Sequence, residues 1–332
     1  MKLLIFELSS SNPKKYKDIF SEGFSMLFHL CKDLSKFFDI LTILDPSLKK
    51  YMEGLKIKEE NNFDEALDKV DFSLIIAPEH DGSLENLVRR AERKISFNCK
   101  ADTIKIVSDK YYLYNNLEKK GLKVAKYEGK FPAVLKPRKG TSCFNIRLIK
   151  DEKELESINL KDFIIQEFIP GISLSLSIIV RENGDYDLLS INEQKVNLGY
   201  KSSQYLGGIV PYPSKKEELK NLTEIIVSTF KGLRGYIGVD LIFDGKEFYI
   251  MDLNPRITTS YLGLSLASKN LPEVLFKGLI GKEKENLIFH SFCAFKKVKE
   301  VKDNYDYISP RVKNYPLMVA KLFNSYEEAK RF

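Results

Sequence analysis

This 332-residue sequence predicts an α/β domain that runs into an α+β region. Two patterns carry the expectation. Over roughly the first 100 residues, continuous apolar runs alternate with amphipathic helical stretches, as in a small doubly wound parallel sheet. Beyond residue 131, strand-like runs follow one another across turn dipeptides such as Asn183-Gly184 and Asp244-Gly245, as in antiparallel hairpins.

Residues 2–7 (KLLIFE) form the first buried strand. Ser9, Ser10, Ser11 and Asn12 supply helix-cap chemistry before an amphipathic stretch over 13–38. Strands are expected at 39–44 and 72–77, and helices at 62–70 and 84–94. Ligands of such sheets lie beyond the carboxyl ends of the strands, so residues 7–11 and 78–82 are candidate pocket walls as well as ordinary connections. No G-x-G-x-x-G follows the first strand, which excludes a dinucleotide fingerprint. Ser108-Asp109-Lys110 opens a helix that runs to Lys120 and stops at Gly121. Then come a strand at 131–136, a small and basic loop at 137–143, a strand at 144–149 and a short helix at 151–157. A strand at 163–169 breaks at Pro170-Gly171, and 174–181 pairs with 186–192. Residues 199–213 read as a loop whose length implies function or mobility. A helix at 216–233 precedes the last hairpin and a helical stretch at 262–279 follows it, whereas 288–332 resists assignment.

Composition excludes several classes. A hydrophobic content of 43% with 30% charged residues is that of a globular chain, not a disordered or fibrous one. No apolar run approaches the roughly 20 residues that span a bilayer, and the N-terminus reads as a strand, not a signal peptide. Four cysteines without a C-x-x-C pair point to reduced thiols and a cytoplasmic setting. Three scattered histidines argue against a histidine-rich metal site. The net charge of +7 fits an anionic ligand, but it is dispersed among lysine–glutamate mixtures, which more often serve solubility or adaptation to heat than a nucleic-acid footprint.

Residues 236–256 (YIGVDLIFDGKEFYIMDLNPR) read as two strands joined at Asp244-Gly245, with Asp240, Asp252 and Asn254 in an apolar framework. Carboxylates in half-buried strands are costly unless a cation or hydrogen bonds compensate them, although solvated acids on an amphipathic hairpin give the same pattern. Such oxygen donors suit magnesium, which takes one or two carboxylates and completes its shell with phosphate oxygens and water. Asp252 and Asn254 share a strand face. A two-residue loop at Asp244-Gly245 puts Asp240 on the opposite face, whereas a loop of odd length, such as 243–245, restores a common one. The odd loop is therefore expected.

Ala133-Val134-Leu135-Lys136-Pro137 and the loop after it form a phosphate-binding arrangement: Lys136 supplies a point charge, while Gly140, Thr141 and Ser142 expose backbone N–H groups or hydroxyls. The Walker A pattern is absent. Residues 164–169 (IIQEFI) have the form of an edge segment able to hydrogen-bond an adenine through its backbone, with Glu167 as acidic companion. Taken singly, a lysine before a proline is more often a surface residue, and an isolated six-residue strand more often simple core.

The ordered set is more specific. Asp109-Lys110 opening a helix, Val134-Leu135-Lys136-Pro137, Gln166-Glu167-Phe168-Ile169-Pro170-Gly171, Gly238-Val239-Asp240 and Asp252-Leu253-Asn254-Pro255-Arg256 together resemble the ATP-grasp carboxylate–amine ligase superfamily over residues 103–280. The resemblance implies a pre-ATP-grasp α/β domain over 1–102 followed by a two-subdomain ATP-grasp fold, with a small subdomain over 103–180 and a C-terminal subdomain carrying the metal site over 181–332. By position it implies that Lys110 and Lys136 hold ATP phosphates with Gly140, Thr141 and Ser142, and that Gln166, Glu167, Phe168 and Ile169 line the adenine. Asp240, Asp252 and Asn254 would bind Mg2+ or Mn2+, and Arg256 would join Lys136 in catalysis, facing the transferring phosphoryl group. Where the family often places a glutamate for the ribose, this chain has Ser173, so the ribose contact falls either to Ser173 or to another acid.

The chemistry so implied is two-step: a carboxylate attacks the γ-phosphate of ATP, and an amine then displaces phosphate from the acyl phosphate. Residues 205–211 (YLGGIVP) are expected to close over that intermediate as a flap. Residues 77–82, the Tyr205-Leu206-Gly207-Gly208 loop and 254–261 (NPRITTSY) resemble the archaeal tyramine–L-glutamate ligases of methanofuran biosynthesis. That resemblance implies glutamate and tyramine as partners, with neither nucleic acid nor membrane, and allows for a homodimer. Two alternatives stay open: another ATP-grasp amino acid or cofactor-precursor ligase, and a non-catalytic nucleotide- or nucleic-acid-binding protein.

Overall fold

The computed structural model describes residues 1–141, 143–213, 216–302, 304–313 and 315–332. It opens with β1 (Lys2–Glu7), α1 (Leu8–Ser11), α2 (Lys17–Leu34), β2 (Asp39–Thr42), β3 (Ile57–Glu59), α3 (Phe63–Asp68), β4 (Phe72–Ile76), α4 (Ser83–Ala91) and β5 (Ile95–Ser96). The five strands pair in parallel in the order β3-β2-β1-β4-β5. Leu3, Leu4 and Ile5 of β1 are wholly buried on both faces, which is why the run is continuously apolar. The single helix expected over 13–38 is divided. Glu7 caps the one-turn α1 through the backbone N–H groups of Ser9 and Ser10, and Pro13 keeps Asn12 out of helical geometry before α2 begins.

Next come α5 (Ala101–Val107), α6 (Lys110–Glu118), β6 (Ala133–Pro137), β7 (Arg147–Ile149), α7 (Glu152–Glu156) and β8 (Phe163–Glu167). These three strands make an antiparallel sheet, β7-β6-β8, with β8 at an edge as expected for residues 164–169. The strand expected from 144 begins only at Arg147. Cys143 and Asn145 take positive φ values of 61° and 57°, so the chain is still turning there.

The remainder is β9 (Ile172–Val180), β10 (Tyr186–Asn197), β11 (Gln204–Val210), α8 (Lys216–Thr229), β12 (Gly235–Phe243), β13 (Phe248–Asn254), α9 (Ser260–Ala267), α10 (Leu271–Leu279), β14 (Phe292–Val298), β15 (Tyr307–Ile308), β16 (Leu317–Phe323) and α11 (Tyr326–Lys330). Its eight strands form one sheet, β13-β12-β9-β10-β11-β14-β16-β15. The unassigned tail thus supplies one end of this sheet. β9, which the sequence division at 180/181 leaves with the small subdomain, lies in this sheet between β10 and β12.

The flap expectation is corrected here. Residues 204–210 are an interior strand between β10 and β14, not a mobile loop. Gly207 and Gly208 are glycines because neighbouring backbone crowds them. A Cβ on Gly207 (φ +138°) would run into the Phe295 carbonyl oxygen, and one on Gly208 into that of Glu193.

The β12–β13 hairpin also departs from expectation, in cause but not in outcome. Its turn is residues 244–247, an even number, with Phe243 opposite Phe248 and Gly245 at φ +102°. The register then shifts between Asp240 and Leu241: Leu241 faces Ile250 while Asp240 faces Asp252. Met251 is the extra residue of a β-bulge, and the bulge, not the turn, brings Asp240 and Asp252 level.

Buried residues of the parallel-sheet domain and of the eight-stranded sheet, such as Leu4 with Ile178 and Phe20 with Tyr261, belong to shared cores. The three-stranded sheet has its own small core of Ala133, Leu135 and Ile149. Among the described residues no helix is long and apolar enough to cross a membrane.

Candidate active site

A cleft open to solvent lies between the three-stranded and eight-stranded sheets. Its lining includes Lys110, Lys136, Gly140, Thr141, Gln166, Glu167, Phe168, Ile169, Ser173, Asp240, Asp252, Asn254 and Arg256. Residues selected along the sequence are therefore gathered around one space. Ser142 lies outside the described residues.

Local structure fixes the cations. Asp109 caps α6 through the Tyr111 N–H, so Lys110 stands at the first helical position. The Lys110 N–H donates to the Arg138 carbonyl at 2.9 Å, and Arg138 returns to Asp109 at 2.7 Å, tying the helix start to the phosphate loop. Lys110, 4% exposed, reaches Asp252 at 2.7 Å. Lys136 donates to the Met251 carbonyl at 3.1 Å and lies 5.3 Å from the centre of the Tyr114 ring. The bulge residue thus presents its carbonyl to one lysine while its neighbour Asp252 pairs with the other.

Asp240 accepts from Gln194 Nε2 at 2.9 Å and from Asn254 Nδ2 at 3.0 Å. Burial, then the adjacent Asp252, pushes its carboxyl up to about 6, against the pull of Asn254, Gln194 and Lys110. Burial, then Lys110, pushes the Lys136 ammonium down to about 7, against Asp252 and Asp240. Both ions are held where their charged forms are under-compensated. A polyanion paired with a divalent cation supplies what each lacks. Two carboxylates and an amide oxygen are hard donors, and among the described residues no cluster of three or more His, Cys, Asp or Glu side chains is placed to hold a metal alone. The donor set therefore fits magnesium that takes its remaining ligands from phosphate and water.

Arg256 is partly buried, its side chain 13% exposed, and Glu79 grips it at 2.7 and 3.1 Å while its Nη1 donates to the Ile257 carbonyl. Burial lowers the guanidinium and Glu79 raises it, with a net upward shift. The loop at 78–82 therefore meets the cleft through Arg256. Residues 7–11 are not among those that line it. Gln166 is committed to the Ala125 carbonyl at 3.1 Å. Two cleft residues escaped the sequence reading. Gln194 lies in β10 beyond the strand end expected at 192, and Glu22 is an acid inside the apolar helix α2. For Glu22 the signal was present, since a carboxylate among Phe20, Phe24 and Leu27 needs a partner.

A cleft floored by an acid-bearing hairpin and roofed by a lysine-bearing sheet is the architecture of an ATP-dependent ligase. Residues 107–260 match the ATP-grasp domain family and 39–104 the pre-ATP-grasp 3 domain family. The chain is 31% identical over 296 residues to the tyramine–L-glutamate ligase of Methanocaldococcus jannaschii, covering 85% of this chain and 90% of that protein. It is 27% identical over 175 residues to the D-alanine–D-alanine ligase of Thermotoga maritima, covering 46% and 57%. The crystal structure of an ATP-grasp superfamily protein from Archaeoglobus fulgidus superposes with a TM-score of 0.78 at 25% identity, covering 98% of this chain and 99% of that one. The chain belongs to the ATP-grasp superfamily and is an ATP-dependent carboxylate–amine ligase. The biotin carboxylase domain from Hydrogenobacter thermophilus, which shares the fold alone (TM-score 0.72, 12% identity, 99% and 87% covered), was crystallised with MgADP.

Proposed function

We propose that this protein joins the γ-carboxylate of L-glutamate to the amine of tyramine, releasing ADP and phosphate, the step that the sequence resemblance assigns to methanofuran biosynthesis. The observation that carries the reading is the match to tyramine–L-glutamate ligase over 85% of the chain, and the charged cleft that gathers Lys110, Lys136, Asp240, Asp252 and Arg256 around one space supports it.

In this reading Lys110 and Lys136 bind the ATP phosphates, with Gly140 and Thr141 beside them, and the backbone of Gln166, Glu167, Phe168 and Ile169 holds the adenine at the open edge of β8. Ser173, at the start of β9, faces the ribose. Asp240, Asp252 and Asn254 hold Mg2+, or Mn2+ in its place. The metal, when bound, neutralises charge developing on the transferring phosphoryl group. Glu79 fixes the Arg256 guanidinium beside that group. Lys110, released from Asp252 toward phosphate, screens the attack of the glutamate carboxylate, and tyramine then displaces phosphate.

ADP release measured with each substrate omitted in turn tests the reading. Turnover should require both glutamate and tyramine. Glutamate-dependent turnover that is indifferent to every amine offered would refute tyramine. The 27% identity to D-alanine–D-alanine ligases favours, as a second reading, a different amino-acid acceptor, which the same assay reveals.

A further inference from the structure

A further acid reaches the cleft from outside the hairpin and the phosphate loop, and it is paired with a lysine that is not itself among the lining residues. Glu22, on α2, is 6% exposed and lines the cleft. Its carboxylate accepts from Thr259 Oγ1 at 3.1 Å and is ion-paired with Lys297 of β14. Lys297 lies 5.9 Å from the centre of the Tyr205 ring, which also lines the cleft. The Cys143 thiol on the cleft wall reports how these groups converge. Burial pushes it up to about 12, helped by Asp240 and Glu22 and opposed by Lys297 and Lys136. The pair therefore sits within electrostatic reach of the phosphate cluster, yet takes no part in it: Lys110 pairs with Asp252, and Asp240 with Gln194 and Asn254.

A buried ion pair stabilises a fold poorly, because desolvation offsets most of its coulombic gain. Where one member lines a cleft and the other adjoins it, such a pair offers complementary charges to a molecule of inverse arrangement, which presents ammonium to the carboxylate and carboxylate to the ammonium. An α-amino acid carries both groups on one carbon. Held by that end, its side chain is left to extend toward the lysines and carboxylates of the phosphate cluster.

We infer that Glu22 and Lys297 form the specificity-determining head-group subsite, Glu22 taking the α-ammonium and Lys297 the α-carboxylate of the amino-acid substrate, so that their mutual ion pair is exchanged for two pairs with substrate. The assignment rests on the amino-acid ligase reading above. It also accounts for the choice of carboxylate: the α-carboxylate is occupied by Lys297, and the side-chain carboxylate is the one left to be phosphorylated.

The test uses the full chain with saturating Mg-ATP and tyramine. ADP release is compared for L-glutamate, for glutarate, which lacks the ammonium, and for 4-aminobutyrate, which lacks the α-carboxylate. Each analogue leaves one buried charge facing nothing, so wild-type kcat/KM for glutamate should exceed that for either by about 100-fold or more. Glu22→Gln should shrink the glutamate-to-glutarate ratio about tenfold, and Lys297→Met the glutamate-to-4-aminobutyrate ratio by a similar factor, with KM for ATP within about twofold of wild type. Equal losses for all three substrates, or unchanged ratios, would overturn the subsite. Should a variant not fold, the wild type decides: glutarate or 4-aminobutyrate competing as tightly as glutamate binds overturns the assignment. If glutamate drives no ADP release but another α-amino acid does, the substrate proposed above fails alone, and the subsite is judged with that amino acid and its deaminated and decarboxylated analogues. Release driven by no α-amino acid overturns both.

Discussion

Two buried charge clusters lie on the eight-stranded sheet, and they differ in what completes them. At the far end of the β9–β10 hairpin, Arg181 reaches Asp187 at 2.5 Å and the Lys282 carbonyl at 3.1 Å, while Lys284 stands 3.3 Å from the other Asp187 oxygen. The cluster is closed by protein alone. Roughly 25 Å along the same strand, at the rise of an extended chain, Ser173 enters the cleft. There Lys136 is pushed down to about 7 and Asp240 up to about 6, chiefly by burial, because the protein does not supply enough opposite charge. Burial of charge is common to both. The shortfall in compensation marks the second as a place for a ligand.

The largest effect that separates the two clusters is catalytic. Asp252→Asn keeps the shape of the hairpin but removes the charged partner of Lys110 and a proposed metal ligand, so kcat should fall by about 10³-fold while the far-ultraviolet circular dichroism is retained. An active Asp252→Asn would dissolve the distinction. Arg181→Met should do the reverse. It strands Asp187, 3% exposed, with Lys284 as its remaining ion-pair partner among the described residues, and urea unfolding should show a loss of about 3 kcal/mol, with kcat of the folded protein within about twofold of wild type. A large kcat loss with unchanged stability would mean that the remote cluster serves the reaction.

Legibility followed the same divide between local and tertiary causes. Lys110, Lys136, Asp240, Asp252 and Asn254 were readable because each stands out against its immediate neighbours: a cation behind a helix cap, a lysine near the end of an apolar strand, and two acids and an amide in an apolar hairpin. Gln194 was not, since a glutamine in a strand is unremarked until β9 sets β10 two strands away from Asp240. The bulge at Met251 was hidden because an apolar residue continues an apolar strand, and counting alternation passes through it. Gly207-Gly208 misled for another reason. Glycine marks close backbone approach as well as freedom, and only the pairing with β10 and β14 shows which applies. The strands of the tail find their partners in β11 and in each other, so nothing in their own stretch announces the sheet.

The smallest effect sharpens the comparison most directly, because it titrates the shortfall itself. Lys136 has an ordinary value of 10.5 when unfolded and about 7 in the ligand-free fold. Between those values the unfolded chain holds a proton that the folded chain has released, so stability must rise with pH across that window; below about 7 both states hold the proton and the penalty is fully present. The urea midpoint of the ligand-free protein should therefore increase from pH 7 to pH 9 by more than that of Lys136→Met, and the difference between the two isolates this lysine from the other groups that titrate there. Phosphate oxygens beside Lys136 favour its charged form, so Mg-ATP binding at pH 8 should draw in a proton. Titration calorimetry in two buffers of unlike ionisation enthalpy measures that uptake. A wild type that binds Mg-ATP with no proton uptake would mean that its phosphates do not meet Lys136, and the cleft would then have to be read without its second lysine.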